Sequence, residues 1–193
     1  MTLFRKSLAR AYRLQCWAGI VFAVLAAMPL CSAWPADSPE SRLKVGFLYN
    51  FTKFATWQEP GFSAQASISV CVLGKDAVSA ELETIRAKSA QGRPLSLLLL
   101  GTVSQAKNCN VLFVSKSEKN KVPDILKFLG DANVLTVSDI DGFATAGGII
   151  ELVNEDGRIT FDVNLDTARR VGLNLHAQLL KVARVVHNNK ENR

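Results

Sequence analysis

An α/β layered sandwich with a mixed β-sheet is the fold class that the sequence predicts, with parallel strands followed by a C-terminal antiparallel hairpin and helices on both faces. Three observations predict it. The chain has 193 residues, 48% of them hydrophobic and only 21% charged, which is enough apolar material for one sizeable core and too much for a disordered chain. Short apolar runs bounded by turn residues alternate with segments of helical spacing, the pattern of strand–helix–strand units. Near the end, Asn154-Glu155-Asp156-Gly157-Arg158 separates two apolar runs directly, and an Asp-Gly turn between such runs makes a hairpin.

The first element is a helix. Ser41 to Trp57 carries Leu43, Phe47, Phe51 and Phe54 at helical spacing, so these side chains are expected to face the core. Ser38 is placed as N-cap with Pro39 at the first helical position, and Glu59-Pro60-Gly61 stops the helix. Ile68 to Leu73 reads as a buried strand ending at Gly74, after which Asp76 can cap a helix over Ala77 to Ala87. Gly92-Arg93-Pro94 turns the chain into a second strand, Leu95 to Leu100. The polar stretch Ser104 to Asn110 precedes a third, Val111 to Val114. A charged loop, Lys116 to Lys121, enters a helix over Val122 to Leu129, and Val134 to Val137 is a fourth strand. Asp139 to Thr145 is a loop, and the hairpin pairs Ile149 to Val153 with Ile159 to Val163. Asp166 to Val171 and Leu175 to Val186 read as helices broken at Gly172.

Ahead of this domain stands a leader. Arg5, Lys6, Arg10 and Arg13 precede the apolar run Cys16 to Met28, and Pro29 ends it. Such a run has signal-peptide length and falls short of the roughly 20 residues of a bilayer span. Cys31-Ser32-Ala33 supplies the small residues that a signal peptidase reads, so residues 1–33 are read as signal peptide and 34–193 as the mature α/β domain. An uncleaved anchor helix is the competing reading. The mature protein is thus expected to be soluble and outside the cytoplasm. Of 23 Lys and Arg, four lie in the leader, which leaves 19 against 17 acidic residues. A balance so small, with no long run of like charge, offers no reason to expect nucleic acid as a partner.

Export also changes how the cysteines read. Cys16 and Cys31 leave with the leader, and Cys71 and Cys109 remain. Two thiols in an oxidising compartment tend to end as one disulfide, worth ~4 kcal/mol in the chain-entropy model. It could be a plain staple or a redox-responsive bond. The strand limits above leave the two positions out of register if their strands are adjacent and parallel, while a bridge needs Cα atoms within about 7 Å. Either the third strand begins earlier, near Asn108, or the pair is a poor one.

Signatures of catalysis are missing from the sequence. His176 and His187 are the only histidines, both in the last helical segment and both read as solvated. There is no Gly-x-Ser-x-Gly elbow, phosphate-binding loop or His-Glu-x-x-His motif. Asp139 with Asp141, or Asp162 with Asp166, could be drawn as an acid and base pair, but carboxylates at strand ends and helix starts usually serve as caps. Gly147-Gly148 is too short for a dinucleotide fingerprint. Tyr49, Trp57 and Phe62 fall outside the apolar stripe of the first helix and could form a patch for a partner or for a second copy of the chain, packing within the core or a loop being the alternative. Arg169 and Arg170 could grip an acidic surface, although consecutive helix residues diverge.

Four blocks, taken in order over nearly all of Leu43 to Val186, carry a resemblance. They are Val45-Gly46-Phe47-Leu48-Tyr49-Asn50-Phe51-Thr52-Lys53-Phe54 with Trp57, then Cys109 to Ser115, then Val134 to Asp139 with Gly142-Phe143, and finally Phe161 to Asp166 with Ala168-Arg169-Arg170. Together they resemble the YfiR-like family of small periplasmic proteins. The resemblance implies a regulator that is not an enzyme, needs no cofactor and restrains an inner-membrane diguanylate cyclase through its periplasmic part, lowering cyclic di-GMP and biofilm formation. It also implies release of that restraint by reducing or envelope stress, with Cys71 and Cys109 at the positions of one family cysteine pair. A second pair found in some relatives has no counterpart between Asp139 and Val163. The competing function is a ligand-binding accessory protein of an envelope sensor or transport system, with a pocket beside the strand ends.

Overall fold

Apolar runs that are buried on both sides make the centre of the sheet. In the computed structural model, which describes residues 39–57 and 67–188, β2 (Ile68–Leu73), β5 (Val111–Val114) and β6 (Leu135–Ser138) lie side by side and parallel. Alternate residues point to opposite faces. Val70, Val72, Val111, Phe113, Leu135 and Val137 enter one apolar cluster, and Cys71, Leu73, Leu112 and Val114 enter another. Two layers therefore flank the sheet. The first packs under α1 (Pro39–Phe54) and α2 (Ala77–Glu81), the second under α3 (Val122–Leu129) and the 3₁₀ segment Val103–Asn108.

The sheet has eight strands in the order β10-β8-β7-β6-β5-β2-β4-β3, with β3 (Ser89–Ala90), β4 (Arg93–Leu100), β7 (Ile150–Glu155), β8 (Arg158–Asn164) and β10 (Val185–His187) completing it. β2, β4, β5 and β6 are parallel, and β7 and β8 form the antiparallel hairpin. Asp156 (φ 50°) and Gly157 (φ 84°) take the two left-handed positions of its turn, as a two-residue hairpin requires. The α/β mixed sheet with helices on both faces is the fold the sequence predicts.

Several boundaries differ. The first helix ends at Phe54, and Ala55–Trp57 is strand β1, paired antiparallel with β9 (Leu173–Leu175). Its buried face is Ser41, Lys44, Val45, Leu48, Phe51 and Thr52, while Leu43 is 47% exposed. The helix is thus rotated from the Leu43–Phe47–Phe51–Phe54 stripe. Phe47 and Phe51 meet Phe161 of β8 with ring centroids 5.8 and 5.2 Å apart, edge on, which fixes the helix on the hairpin. The segment Ala77 to Ala87 is α2 followed by a 3₁₀ turn at Leu82–Ile85, with Asp76 as its N-cap. Lys116–Lys121 is a 3₁₀ turn rather than a loop. The expected helix over Leu175 to Val186 is instead β9, a short α5 (Ala177–Val182) and β10, so His187 is a strand residue. There β-branched Val185 and Val186 pair in parallel with Asp162 and Val163 of β8, and sheet pairing outweighs a helical reading of the apolar spacing. α4 (Leu165–Arg170) is capped by Asn164.

Residues 1–33, including the proposed cleavage site, and the cap at Ser38 lie outside the described residues. Among those described, no helix is long and apolar enough to cross a membrane.

Candidate functional site

The chain leaves β2 towards β4 on one side and returns to β5 on the other, so the strand order reverses between β2 and β5. Loops at the carboxyl ends of strands beside such a reversal are where open α/β sheets hold ligands and contacts. Gly74 comes directly after β2 with φ +93°, and a Cβ on it would lie 2.4 Å from Ser117 Oγ and 2.9 Å from Glu118 Cγ. Only glycine lets the two loops close so tightly.

A polar cluster lies between these loops and α1. Lys44, one turn into the helix, is buried and puts its Nζ 2.5 Å from Asp139 Oδ2, just beyond β6, and 2.5 Å from Glu40 Oε1. Lys116 Nζ, beyond β5, is 3.6 Å from the same Asp139 oxygen. Burial by itself lowers the pKa of the Lys44 ammonium, but hydrogen bonds to Asp139 and Glu40 outweigh it and hold the pKa above 10.5. Glu40 is held below 4.5, chiefly by its hydrogen bond from Lys44. Asp139 Oδ1 and Ser115 Oγ are buried with no hydrogen-bond partner among the described residues. A cleft of about 230 Å³ opens on this cluster, lined by Lys44, Asp76, Lys116 and Asp139.

Because its folded pKa is depressed, Glu40 contributes stability above about pH 4.5 that is lost as pH falls through the lower folded value. Glu40→Gln is therefore expected to cost about 1 kcal/mol or less at pH 7, with the difference vanishing in acid. Urea unfolding at pH 7 and pH 3 checks this; an equal cost at both would show that the pair contributes nothing through charge.

The second constellation is the cysteine pair. Cys71 is fully buried in β2, and Cys109, 4% exposed, is joined to it with Cα atoms 6.0 Å apart. Neither alternative left open by the strand register applies. β5 begins at Val111, and the 3₁₀ segment Val103–Asn108 brings Cys109 beneath the sheet ahead of the strand. The next residue, Asn110, is a junction that sequence reasoning missed. Its N–H donates to Ser69 O (3.0 Å), its Oδ1 accepts from Ser69 N–H (2.8 Å), and its carbonyl accepts from Leu135 N–H (2.8 Å) and Trp57 Nε1 (3.2 Å). One asparagine beside the disulfide thereby ties β1, β2, β5 and β6 together.

The proposed contact residues separate. Trp57 is 7% exposed and belongs to the core, because strand β1 turns it inward; it is corrected from a patch residue to a structural one. Phe62 lies outside the described residues. Tyr49 is half-buried against the edge of the core, donating its hydroxyl to Ser89 O (3.1 Å), with Lys53 and Lys88 Nζ 4.0 and 4.8 Å from its ring centroid. Arg169 and Arg170 are exposed and diverge, the first bonded to Asn188 Oδ1 (3.3 Å) and the second to Asp131 Oδ1 (2.5 Å).

Of the carboxylates that could be drawn as acid and base pairs, Asp139 and Asp162 are held by cations. Asp139 pairs with Lys44, and Asp162 accepts two hydrogen bonds from Arg184, whose pKa is raised by its bonds to Asp162 and Glu155. Asp141 is exposed, and Asp166 lies in the first turn of α4. Among the described residues, no group of three or more His, Cys, Asp or Glu is placed to hold a metal ion.

A family model described as YfiR/HmsC-like matches residues 41–184. Among solved structures, the chain is similar to a conserved domain protein from Vibrio cholerae O1 biovar El Tor, with 12% identity and a TM-score of 0.53 over 78% of this chain. The match spans 60% of that chain, and it speaks to the fold alone. A weaker likeness, at 10% identity and a TM-score of 0.45, is to an ABC domain from Streptococcus pneumoniae solved with L-Trp, covering 62% of this chain and 55% of that one.

Proposed function

From the premise that the chain belongs to the YfiR/HmsC-like family of periplasmic regulators, we propose that it is exported by residues 1–33 and restrains an inner-membrane diguanylate cyclase. It does so by protein contact rather than by catalysis, and so lowers cyclic di-GMP and biofilm formation. The observation that supports a redox-responsive form of this role is the position of the Cys71–Cys109 bond. It tethers the segment ahead of β5 to the centre of the sheet, one residue from the Asn110 junction. Opening the bond frees Val103–Asn108 and loosens what Asn110 holds, which gives oxidised and reduced protein different surfaces.

Deleting the gene is expected to raise cellular cyclic di-GMP, and expressing the exported protein in trans is expected to restore it. An unchanged level would overturn the cyclase reading. A second reading, a ligand-binding accessory protein, is favoured by the cleft at the strand reversal, which Asp139 lines with its Oδ1 unpartnered among the described residues. Native mass spectrometry of protein taken from the periplasm separates the two. A bound small molecule, with cyclic di-GMP unchanged on deletion, would decide for the accessory role.

A further inference from the structure

We infer that the outer edge of β4 is a docking site for an extended, acidic-flanked segment of a partner protein, which adds to the sheet as a further strand. The inference rests on the reading of this protein as one that works by contact, and it names where that contact is made.

β4 spans Arg93–Leu100, but β3 covers only its beginning, pairing Ala90 with Arg93 and Ser89 with Pro94. Leu95 N–H still reaches Lys88 O, at 3.2 Å, on that outer side. Residues two apart along a strand point their backbone groups the same way, so the N–H and C=O groups of Leu97 and Leu99 also face outward. Among the described residues no strand meets them. Leu98 and Leu99 are 44% and 63% exposed. Exposed edges are ordinarily blunted by an inward charge, a proline or a bulge. Here Pro94 stands only at the covered end, and Ser96 to Leu100 carries no charge. Leu99, Leu100 and Gly101 also line a groove of about 380 Å³ with Gly74, Lys75 and Glu118. Added strands combine main-chain hydrogen bonds with pockets for side chains, and here outward backbone groups lead to one groove at the carboxyl end of β4.

Charge selects the occupant. Lys88 stands at one end of the free edge and Lys75 lines the groove reached at the other, and Glu118 in the groove is already paired with Lys121 at 2.9 Å. Two-fold pairing of β4 with β4 of a second copy would be antiparallel and would bring Lys88 of each copy towards the groove end of the other, which Lys75 lines. Like charges so placed oppose it. A segment with apolar residues at alternate positions and carboxylates at both ends meets each feature.

The test uses the exported protein and two synthetic peptides of alternating valine and threonine, one ended by glutamates and the other by lysines. The glutamate peptide is expected to bind and to slow amide exchange at Leu97 and Leu99 at least tenfold. Leu99→Pro, which removes an outward donor, should abolish that protection. Lys75→Glu/Lys88→Glu, which alters only exposed side chains, should weaken the glutamate peptide at least tenfold and favour the lysine peptide. Equal binding of both peptides, or binding of neither, overturns the proposal. So does protection of Leu97 and Leu99 before any peptide is added, which in a dimer would mean a second copy and in a monomer another part of this chain. These outcomes are independent of cyclic di-GMP in the deletion strain, so the surface and the cyclase reading can fail separately.

Discussion

Lys44→Met is expected to destabilise the protein by about 3–5 kcal/mol, the usual cost of removing one partner from a buried ion pair. The side chains of Lys44 and Asp139 are only 9% and 6% exposed. Without the ammonium, Asp139 keeps one cation among the described residues, Lys116, whose side chain is 64% exposed and whose Nζ stands 3.6 Å away. Lys44→Met/Asp139→Leu removes both charges and is expected to regain most of the loss. Urea unfolding of the two variants and the parent at pH 7 checks both claims. A cost below ~1 kcal/mol for Lys44→Met would mean that water or Lys116 replaces the ammonium, and the pair would then be only a surface one.

The same pair shows why α1 is legible as a helix but not in its rotation. Four phenylalanine and leucine side chains at helical spacing point to one face, but the buried face runs through Ser41, Lys44 and Thr52. Lys44 can be there because Asp139, 95 positions along the chain, comes to meet it. No local pattern records that. Ile68–Leu73, Val111–Val114 and Val122–Leu129 agree with their apolar runs, since strands covered on both faces need no alternation and α3 carries its own apolar stripe. The end of the chain misleads because Leu175, Leu179 and Val182 satisfy a helical period, while Leu173–Leu175 and Val185–His187 are each claimed by a distant strand, β1 and β8. At the site, the number of cysteines and the leader suggest the pair, but the strand limits leave it open, because nothing in the apolar pattern places Cys109 beneath the sheet ahead of β5. Asn110 cannot be singled out, because a single asparagine between a turn and a strand resembles any loop residue. Trp57 is misplaced by its sequence for a related reason: its inward direction depends on strand β1, which exists only through its pairing with β9.

Cys71→Ala/Cys109→Ala is expected to lower stability by about 4 kcal/mol in the chain-entropy model, because the bond spans 38 positions of chain. Its kinetics should be as telling as its energetics. Both sulfurs belong to residues at most 4% exposed, so a dithiol must wait for the segment Val103–Asn108 to open. Reduction is expected to be slow in the native protein and to accelerate in urea well below the unfolding midpoint, as local opening becomes more frequent. The state reached after reduction distinguishes a staple from a switch. If the bond only holds the fold, loss of the Trp57 indole hydrogen bond to Asn110 should coincide with loss of the whole sheet, seen together by NMR of the indole N–H and by far-UV circular dichroism. If it sets a conformation, the indole signal should shift while the circular dichroism persists, because β5 and β6 remain packed from the other face by Leu48 and Phe51. The redox part of the proposed function needs the second outcome. Coincident loss of both signals would leave the protein a regulator that the bond stabilises but does not control.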